Sequence, residues 1–386
     1  MKKFFIAILV LALAAGVGIG FGTIIKNRNK NKNTAPQEQK SDYKSEFIWG
    51  AQGGAFVLNR LDDPYKPENV DKQIEFAKKL GINLIRANLE ISKKDSPFEI
   101  TPLEKANDDF INRVADAKLQ ILLVLDPDIP KTVGKANYEE EGYKLGSYAA
   151  KHYKGKVKYY QIANEVTGTI VKPAEDNGKT FNGNYGVQYS QARYDAVLGW
   201  VKGMSRGIRE NDTDAKIVLC GHWILYDVIQ KLISDGVDFD ILGWSWYSTD
   251  GDDVTRREYN WGDHMNLAEK LYSIKKDVWI VETNYDHGSF GNGKISSSEG
   301  EKKQAEFIGK FANNVYNSGY FKGFIVFTLF DNPINAEIAA EREAHWGLVE
   351  VKKINGDIKV TREKPAFNTY KKFISSHLAL PTLKAQ

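Results

Sequence analysis

Two glutamates occupy matching places in this chain. Glu165 follows the β-branched and aromatic run Val157-Lys-Tyr-Tyr-Gln-Ile-Ala-Asn164, and Glu282 follows Asp277-Val-Trp-Ile-Val281. Each run reads as a short strand that stops abruptly at polar residues. In a parallel barrel, the C-terminal strand ends are where catalytic side chains project. Two carboxyl groups delivered there can cleave a glycosidic bond, one protonating the leaving oxygen while the other attacks the sugar or activates water. A glutamate after a strand is more often an ordinary loop residue or half of a rim ion pair. Here the neighbours favour chemistry: Asn164 beside Glu165 can hydrogen-bond a sugar hydroxyl, and Glu282 opens the polar stretch Glu282-Thr283-Asn284.

The elements that must hold such a pair recur along the chain. Strand-like runs are read at Phe47–Ala51, Asn83–Leu89, Gln120–Leu125, Val157–Ala163, Lys216–Cys220, Phe239–Trp244, Val278–Val281 and Gly323–Thr328. Segments of helical period alternate with them: Val70–Leu80, Leu103–Ala117, Gly142–Tyr153, Arg193–Glu210, Leu225–Ser234, Met265–Ile274, Glu301–Asn317 and Lys364–Ser375. This alternation predicts an α/β fold, a single (β/α)8 TIM barrel over residues 46–378. A doubly wound open sheet is the rival, but no GxGxxG or P-loop follows the first strand. The longest connections, Val166–Ser190, Ser248–Asp263, Asn284–Ser298 and Asn332–His345, all follow strands, whereas helix-to-strand links are short. One elaborated face of the barrel is therefore expected to carry the chemistry.

Composition narrows the partners. Residues 1–40 carry seven Lys/Arg against one Glu, which leaves 46 basic and 49 acidic residues beyond them, a net charge of −3. A globular part of that charge does not suit nucleic acid. The single cysteine, Cys220, rules out an intrachain disulfide and any CxxC metal site, and reads as a small buried strand residue. No HxH, HExxH or Asp-rich calcium loop appears, so neither a catalytic metal nor another cofactor is expected.

The N-terminus is different in kind. Met1-Lys-Lys3 precedes the apolar run Phe4–Ile25, about the ~20 residues a membrane helix needs. Ala12-Leu-Ala14 has the spacing of a cleavage site, but cleavage there leaves Ala15–Ile25 on the mature chain. An uncleaved signal anchor over residues 1–25 is the preferred reading, and a cleaved signal with secretion is the alternative. The basic run Lys26–Lys32 just after the helix opposes export by the positive-inside bias, although large domains translocate regardless of it. Residues 26–45 are a polar, flexible tether, and 379–386 a short tail. The barrel is then expected outside the cytoplasmic membrane.

Taken together, these parts resemble the clan A glycoside hydrolases, the barrel superfamily of cellulases, mannanases, β-galactosidases, β-xylosidases and endo-β-galactanases. The likeness spans about residues 46–376 and rests on several motifs in order. Asn164-Glu165 ends the fourth strand and Glu282 the seventh. Arg86, in Ile85-Arg86-Ala87-Asn88, matches an arginine at the end of the second. Gly243-Trp-Ser-Trp-Tyr247 resembles a sixth-strand segment whose tyrosine touches the nucleophile. His345-Trp346-Gly347-Leu348-Val349 and Lys364-Pro365-Ala366 look like the approach to the last helix.

The resemblance implies Glu165 as general acid/base and Glu282 as nucleophile, with carboxyl groups about 5–5.5 Å apart and net retention. Arg86 and Tyr247 would favour the ionised form of Glu282, so that Glu165 stays protonated. Asn164 would hold the sugar 2-hydroxyl. Where the group usually has a tryptophan floor on strand eight, this chain has Phe327, whose ring can still stack on a sugar face. Trp223, Trp246, Trp261 and Trp346 could stack on sugars or pack under loops. His222 could reach a hydroxyl, although a lone histidine is more often structural. Two rivals remain: a surface barrel that binds glycan without cleaving it, encouraged by Phe327, and a metal-dependent hydrolase, which lacks ligand spacings.

Overall fold

The computed structural model describes residues 47–60, 62–93, 100–171, 189–258, 264–285, 298–334 and 344–378. Eight strands close into a parallel barrel: β1 Ile48–Gln52, β2 Leu84–Asn88, β3 Gln120–Leu125, β4 Tyr159–Ile162, β5 Lys216–His222, β6 Ile241–Ser245, β7 Asp277–Thr283 and β8 Gly323–Val326. Each pairs with its neighbours in sequence, and β1 closes the cylinder by pairing with both β8 (Ile48 opposite Gly323) and β2 (Gly50 opposite Leu84). The strands are apolar on both faces because both are covered. Inside, Ile48, Leu84, Leu122, Val218, Ile241 and Ile325 meet Tyr159 and Trp279, whose rings pack edge to face at 4.8 Å. Outside, the strands pack against the helices α1 Pro67–Leu80, α2 Glu104–Asp116, α3 Tyr138–His152, α4 Gln191–Asn211, α5 Asp227–Ser234, α6 Leu267–Tyr272, α7 Ser298–Ser318 and α8 Pro365–Leu378.

The expected barrel is present, with its strand ends adjusted. The strand predicted over Val157–Ala163 is only Tyr159–Ile162, because Ala163 and Glu165 take left-handed backbone angles (φ 66° and 44°) that end parallel pairing. Strands five and seven run on to His222 and Thr283, past the apolar runs that announced them. An unexpected antiparallel hairpin, Val349–Ile354 with Asp357–Glu363, precedes α8. Its turn is Asn355-Gly356, both at positive φ (54° and 88°). Lys364, predicted inside the last helix, instead lies just before it and is buried. The expected anchor, linker and tail fall outside the described residues. So do parts of all four long loops, Trp261 among them. Among the described residues no helix is long and apolar enough to cross a membrane.

Helices α3 and α4, on either side of β4 in sequence, touch backbone to backbone. A Cβ added at Gly142 would come 2.4 Å from the Trp200 carbonyl oxygen, at Gly146 2.3 Å from that of Met204, and at Gly203 2.0 Å from that of Glu139. Only glycine allows this approach. Alanine is the better helix former by about 1 kcal/mol, but overpacking of this kind costs about 1–3 kcal/mol. Gly203→Ala is therefore expected to lower stability in urea unfolding. Gly309→Ala in α7, where a Cβ meets only the Thr369 methyl at 3.0 Å, should not.

Candidate active site

Arg86 lies at the centre of the barrel mouth, 2% exposed. β2 carries it inward, and its guanidinium ties together side chains from three other strands. Nε donates to Gln161 Oε1 at 3.1 Å, and Nη1 to Gln52 Oε1 at 2.5 Å. Nη1 also forms an ion pair with Glu282 Oε2 at 3.0 Å, and Nη2 donates to Asn164 Oδ1 at 2.8 Å. Four of the five guanidinium N–H groups are thus engaged. A planar, permanently charged fork can do this and a lysine cannot. Tyr247 adds a second hold on Glu282, its hydroxyl donating to Oε1 at 2.5 Å.

Glu165 and Glu282 face the same guanidinium. Ser245, at the end of β6, is paired in register with Glu282 on one side and His222 on the other, and its hydroxyl also reaches the Glu165 carboxyl. The two glutamates, distant in sequence, therefore share one space. Burial pushes both carboxyls above the ordinary glutamate range. Residue types show the charges around Glu282 but not this desolvation, which arises only inside the closed mouth. The charge and hydrogen bond of Arg86 and the Tyr247 hydroxyl oppose it at Glu282, and the charge of Glu165 adds to it. Glu165 has only the Ser245 hydroxyl and the field of Arg86 in opposition. Glu282 thus has the more direct support for its charged form, an ion pair and a phenolic hydrogen bond, against one serine hydroxyl and the field of Arg86 at Glu165.

The remaining expected residues divide. Asn164 Oδ1 accepts from Arg86 and from Gln161 Nε2 at 2.9 Å, leaving its amide N–H2 as the group able to donate to a ligand. Phe327 and Trp346 are close, ring centroids 5.3 Å apart at 69°, and Trp346 lies 5.5 Å from Tyr247. The peptide bond after Phe327 is cis. Among the described residues the buried Trp346 indole N–H has no hydrogen-bond partner. Behind them, Asn284 Nδ2 donates to the carbonyls of Phe327 and Trp346, and Gln304 braces Asn284 at 3.1 Å. Asp331 and Lys364, both 2% exposed and 2.9 Å apart, anchor the same segment: Lys364 donates to the His345 carbonyl and Gly347 N–H to Asp331.

Trp246 corrects the sequence reading. It is fully buried, with its indole N–H donating to the Gly251 carbonyl at 2.8 Å, so it packs beneath the turn after β6 and offers no face to a sugar. His222 is wedged against Gly168 and Thr167. The Thr167 hydroxyl accepts from the His222 backbone N–H at 3.1 Å and pairs with Nδ1 at 2.8 Å. Burial pushes the imidazole down to about 4. Since the folded protein holds this ring neutral, the unfolded chain takes up the extra proton between pH 6.5 and 4, and stability falls with pH across that window. His222→Gln should flatten that part of a plot of urea midpoint against pH. Cys220 is inert, its thiol pushed up to about 12 by burial.

Sequence reasoning missed Gln52, Gln161 and Asp126. The glutamines sit within apolar strands, and a buried amide there needs a partner. Asp126 follows β3 as Glu165 follows β4, so the strand-end rule that found Glu165 and Glu282 would have found it as well. Its Oδ1 accepts from the Asn164 N–H at 3.2 Å. Asp126 keeps exposed surface, but the mouth around it strips enough water to push its carboxyl up to about 6, with Asp128 and Glu282 adding to the rise against that hydrogen bond and Arg86. Among the described residues no group of His, Cys, Asp and Glu could hold a metal ion.

The architecture and the mouth define an eight-stranded parallel barrel with paired glutamates clamped at its C-terminal rim. No family model and no curated protein matches the chain. Solved structures do. The β-glucosidase from Thermotoga maritima in complex with glucoimidazole is 12% identical with a TM-score of 0.57, covering 87% of this chain and 99% of that one. The same enzyme with deoxynojirimycin is 13% identical, TM-score 0.57, over the same shares. The family 1 β-glucosidase with isofagomine lactam is 12% identical, TM-score 0.57, again over 87% and 99%. At this identity the likeness is one of fold: the structural neighbours are family 1 β-glucosidases, and this chain shares their barrel.

Proposed function

We propose that this protein is a retaining β-glycosidase. The observation that carries the reading is the clamp on Glu282. An ion pair with Arg86 and a tyrosine hydroxyl prepare one carboxylate as nucleophile, while a second, less supported carboxyl beside it keeps its proton. Glu165 protonates the glycosidic oxygen as Glu282 attacks the anomeric carbon. The leaving sugar departs, a glycosyl ester forms on Glu282, and Glu165 then takes a proton from the water that releases it. Asn164 donates to a sugar hydroxyl, and Phe327 with Trp346 forms the apolar wall. The substrate is an oligo- or polysaccharide, and the likeness to β-glucosidases supports the β configuration. No step uses a cofactor.

The test is a panel of aryl β-glycosides with the anomer of the product read by proton NMR. Turnover with retained configuration is expected, as is a bell-shaped pH profile. Its acid limb is the protonation of Glu282 and its alkaline limb the loss of the Glu165 proton, both displaced upward by burial. Inverted product, or activity lost to a chelator, would overturn the mechanism. A glycan-binding barrel without activity is the second reading. It rests on Phe327 standing where a larger ring is usual, and it predicts binding without turnover on the whole panel. We also propose that residues 1–25 tether the barrel outside the cytoplasmic membrane, or direct its secretion if cleaved. The long apolar run after Met1-Lys-Lys3 supports this. Recovery of the protein in the cytosolic fraction would rule it out.

A further inference from the structure

Asp126 has no role in the chemistry above, yet it occupies the same mouth. It is the first residue beyond β3, and its hydrogen bond from the Asn164 N–H at 3.2 Å fixes its carboxylate beside the turn that bears Glu165. Arg86 and Glu282 are buried, whereas Asp126 is exposed to whatever enters. Its neighbour Asp128 is neutralised by Lys131; among the described residues Asp126 has no ion pair. Arg86 cannot compensate an incoming anion, because its donors are held by Gln52, Gln161, Asn164 and Glu282 and offer no free fork for a carboxylate or sulfate.

Resting on the glycosidase reading, we propose that Asp126 selects the glycone: its carboxylate accepts hydrogen bonds from the hydroxyl or ammonium groups of a neutral or amino sugar and excludes sugars that bear a carboxylate or sulfate. Such selection works by repulsion as much as by attraction. An anionic sugar would bring a further negative charge against Glu282 and Asp126, with only an already occupied cation nearby. Hydrogen bonds to a charged group carry roughly ten- to hundredfold in affinity each, so one carboxylate suffices to set the preference.

The test compares wild type with Asp126→Asn, which keeps the shape and one acceptor. The probes are matched sets of nitrophenyl β-glycosides in gluco and galacto configuration: the neutral sugar, its 2-amino-2-deoxy form with a free amine, and its uronide. Wild type is expected to cleave uronides at least about 100-fold less efficiently (kcat/KM) than the neutral members. Asp126→Asn should narrow that ratio at least tenfold and lower the preference for the amino sugar, mainly through KM. A merely structural role would depress all three alike and leave the ratios unmoved, which overturns the proposal, as would efficient cleavage of a uronide by wild type. Binding of the free neutral, amino and uronic sugars, followed by tryptophan fluorescence, separates the two readings. Selective binding without any turnover removes the catalytic reading and leaves this one standing. Unselective or absent binding removes this one.

Discussion

Glu282→Ala should abolish turnover, lowering kcat by roughly 10^4-fold or more, the loss typical of removing a catalytic nucleophile. The change leaves the 2% exposed guanidinium without its carboxylate, a loss of about 3–5 kcal/mol, but its three amide partners remain and the barrel should still fold. Circular dichroism and substrate binding on the folded variant separate the loss of chemistry from this loss of stability. The vacated space offers a further check. Azide entering it can attack the anomeric carbon from the same face, break the bond to the aryl leaving group, and give a glycosyl azide of inverted configuration. Recovery of that product would identify Glu282 as the nucleophile by its absence. A variant retaining a tenth of wild-type activity would remove Glu282 from that role.

Arg86→Met is expected to damage both activity and stability. The substitution preserves much of the apolar stem but leaves Glu282, 7% exposed, without its cation and the Gln52 and Gln161 amide oxygens without a donor, while Asn164 Oδ1 keeps Gln161 Nε2. Breaking a buried ion pair in this way costs about 3–5 kcal/mol. The sign of its pH dependence follows from the remaining carboxyl. Without Arg86 the folded-state pKa of Glu282 rises further, so the variant binds a proton on folding over a wider range, and its stability falls as pH rises through that range. The deficit in urea unfolding should accordingly be larger at pH 7 than at pH 5. The acid limb of any residual activity should move upward, because Glu282 stays protonated to higher pH. A loss below 1 kcal/mol at pH 7 would mean that water or another cation takes over the clamp.

The barrel was legible because its strands are covered on both faces and so read as unbroken apolar runs, Gln120–Leu125 to the residue. What failed were places where the backbone departs from what residue type suggests. Ala163 and Glu165 adopt positive φ without glycine, held there by the Asp126 contact and the packing of Val166, and nothing in Ile-Ala-Asn-Glu announces it. The hairpin at Asn355-Gly356 is different: an Asn-Gly pair between alternating residues is a strong local signal, but it lies between strand eight and the last helix, outside the β/α alternation that defines the barrel. The two glutamates, Arg86 and Tyr247 were legible from type and place. Their interlocking was not, since the distances among β1, β2, β4 and β7 exist only once the cylinder closes. Trp246 shows the limit in the other direction. An aromatic at a strand end looks the same in sequence whether it faces a ligand or the loop above it.

The glycine contact between α3 and α4, at Gly142, Gly146 and Gly203, has a bearing on how a substrate could be admitted. Where main chains abut with no side-chain cushion, there is no slack to take up a sliding or tilting motion. The sector of wall that presents Asn164 and Glu165 is thus the stationary jaw of the cleft. Room for a bulky glycan is therefore to be sought in the side chains of the facing jaw, the rings of Tyr247, Phe327 and Trp346, since the main chain beneath them is also close-packed where Gly347 meets Phe330 and Asp331. Enlarging the substrate range by redesign would begin there.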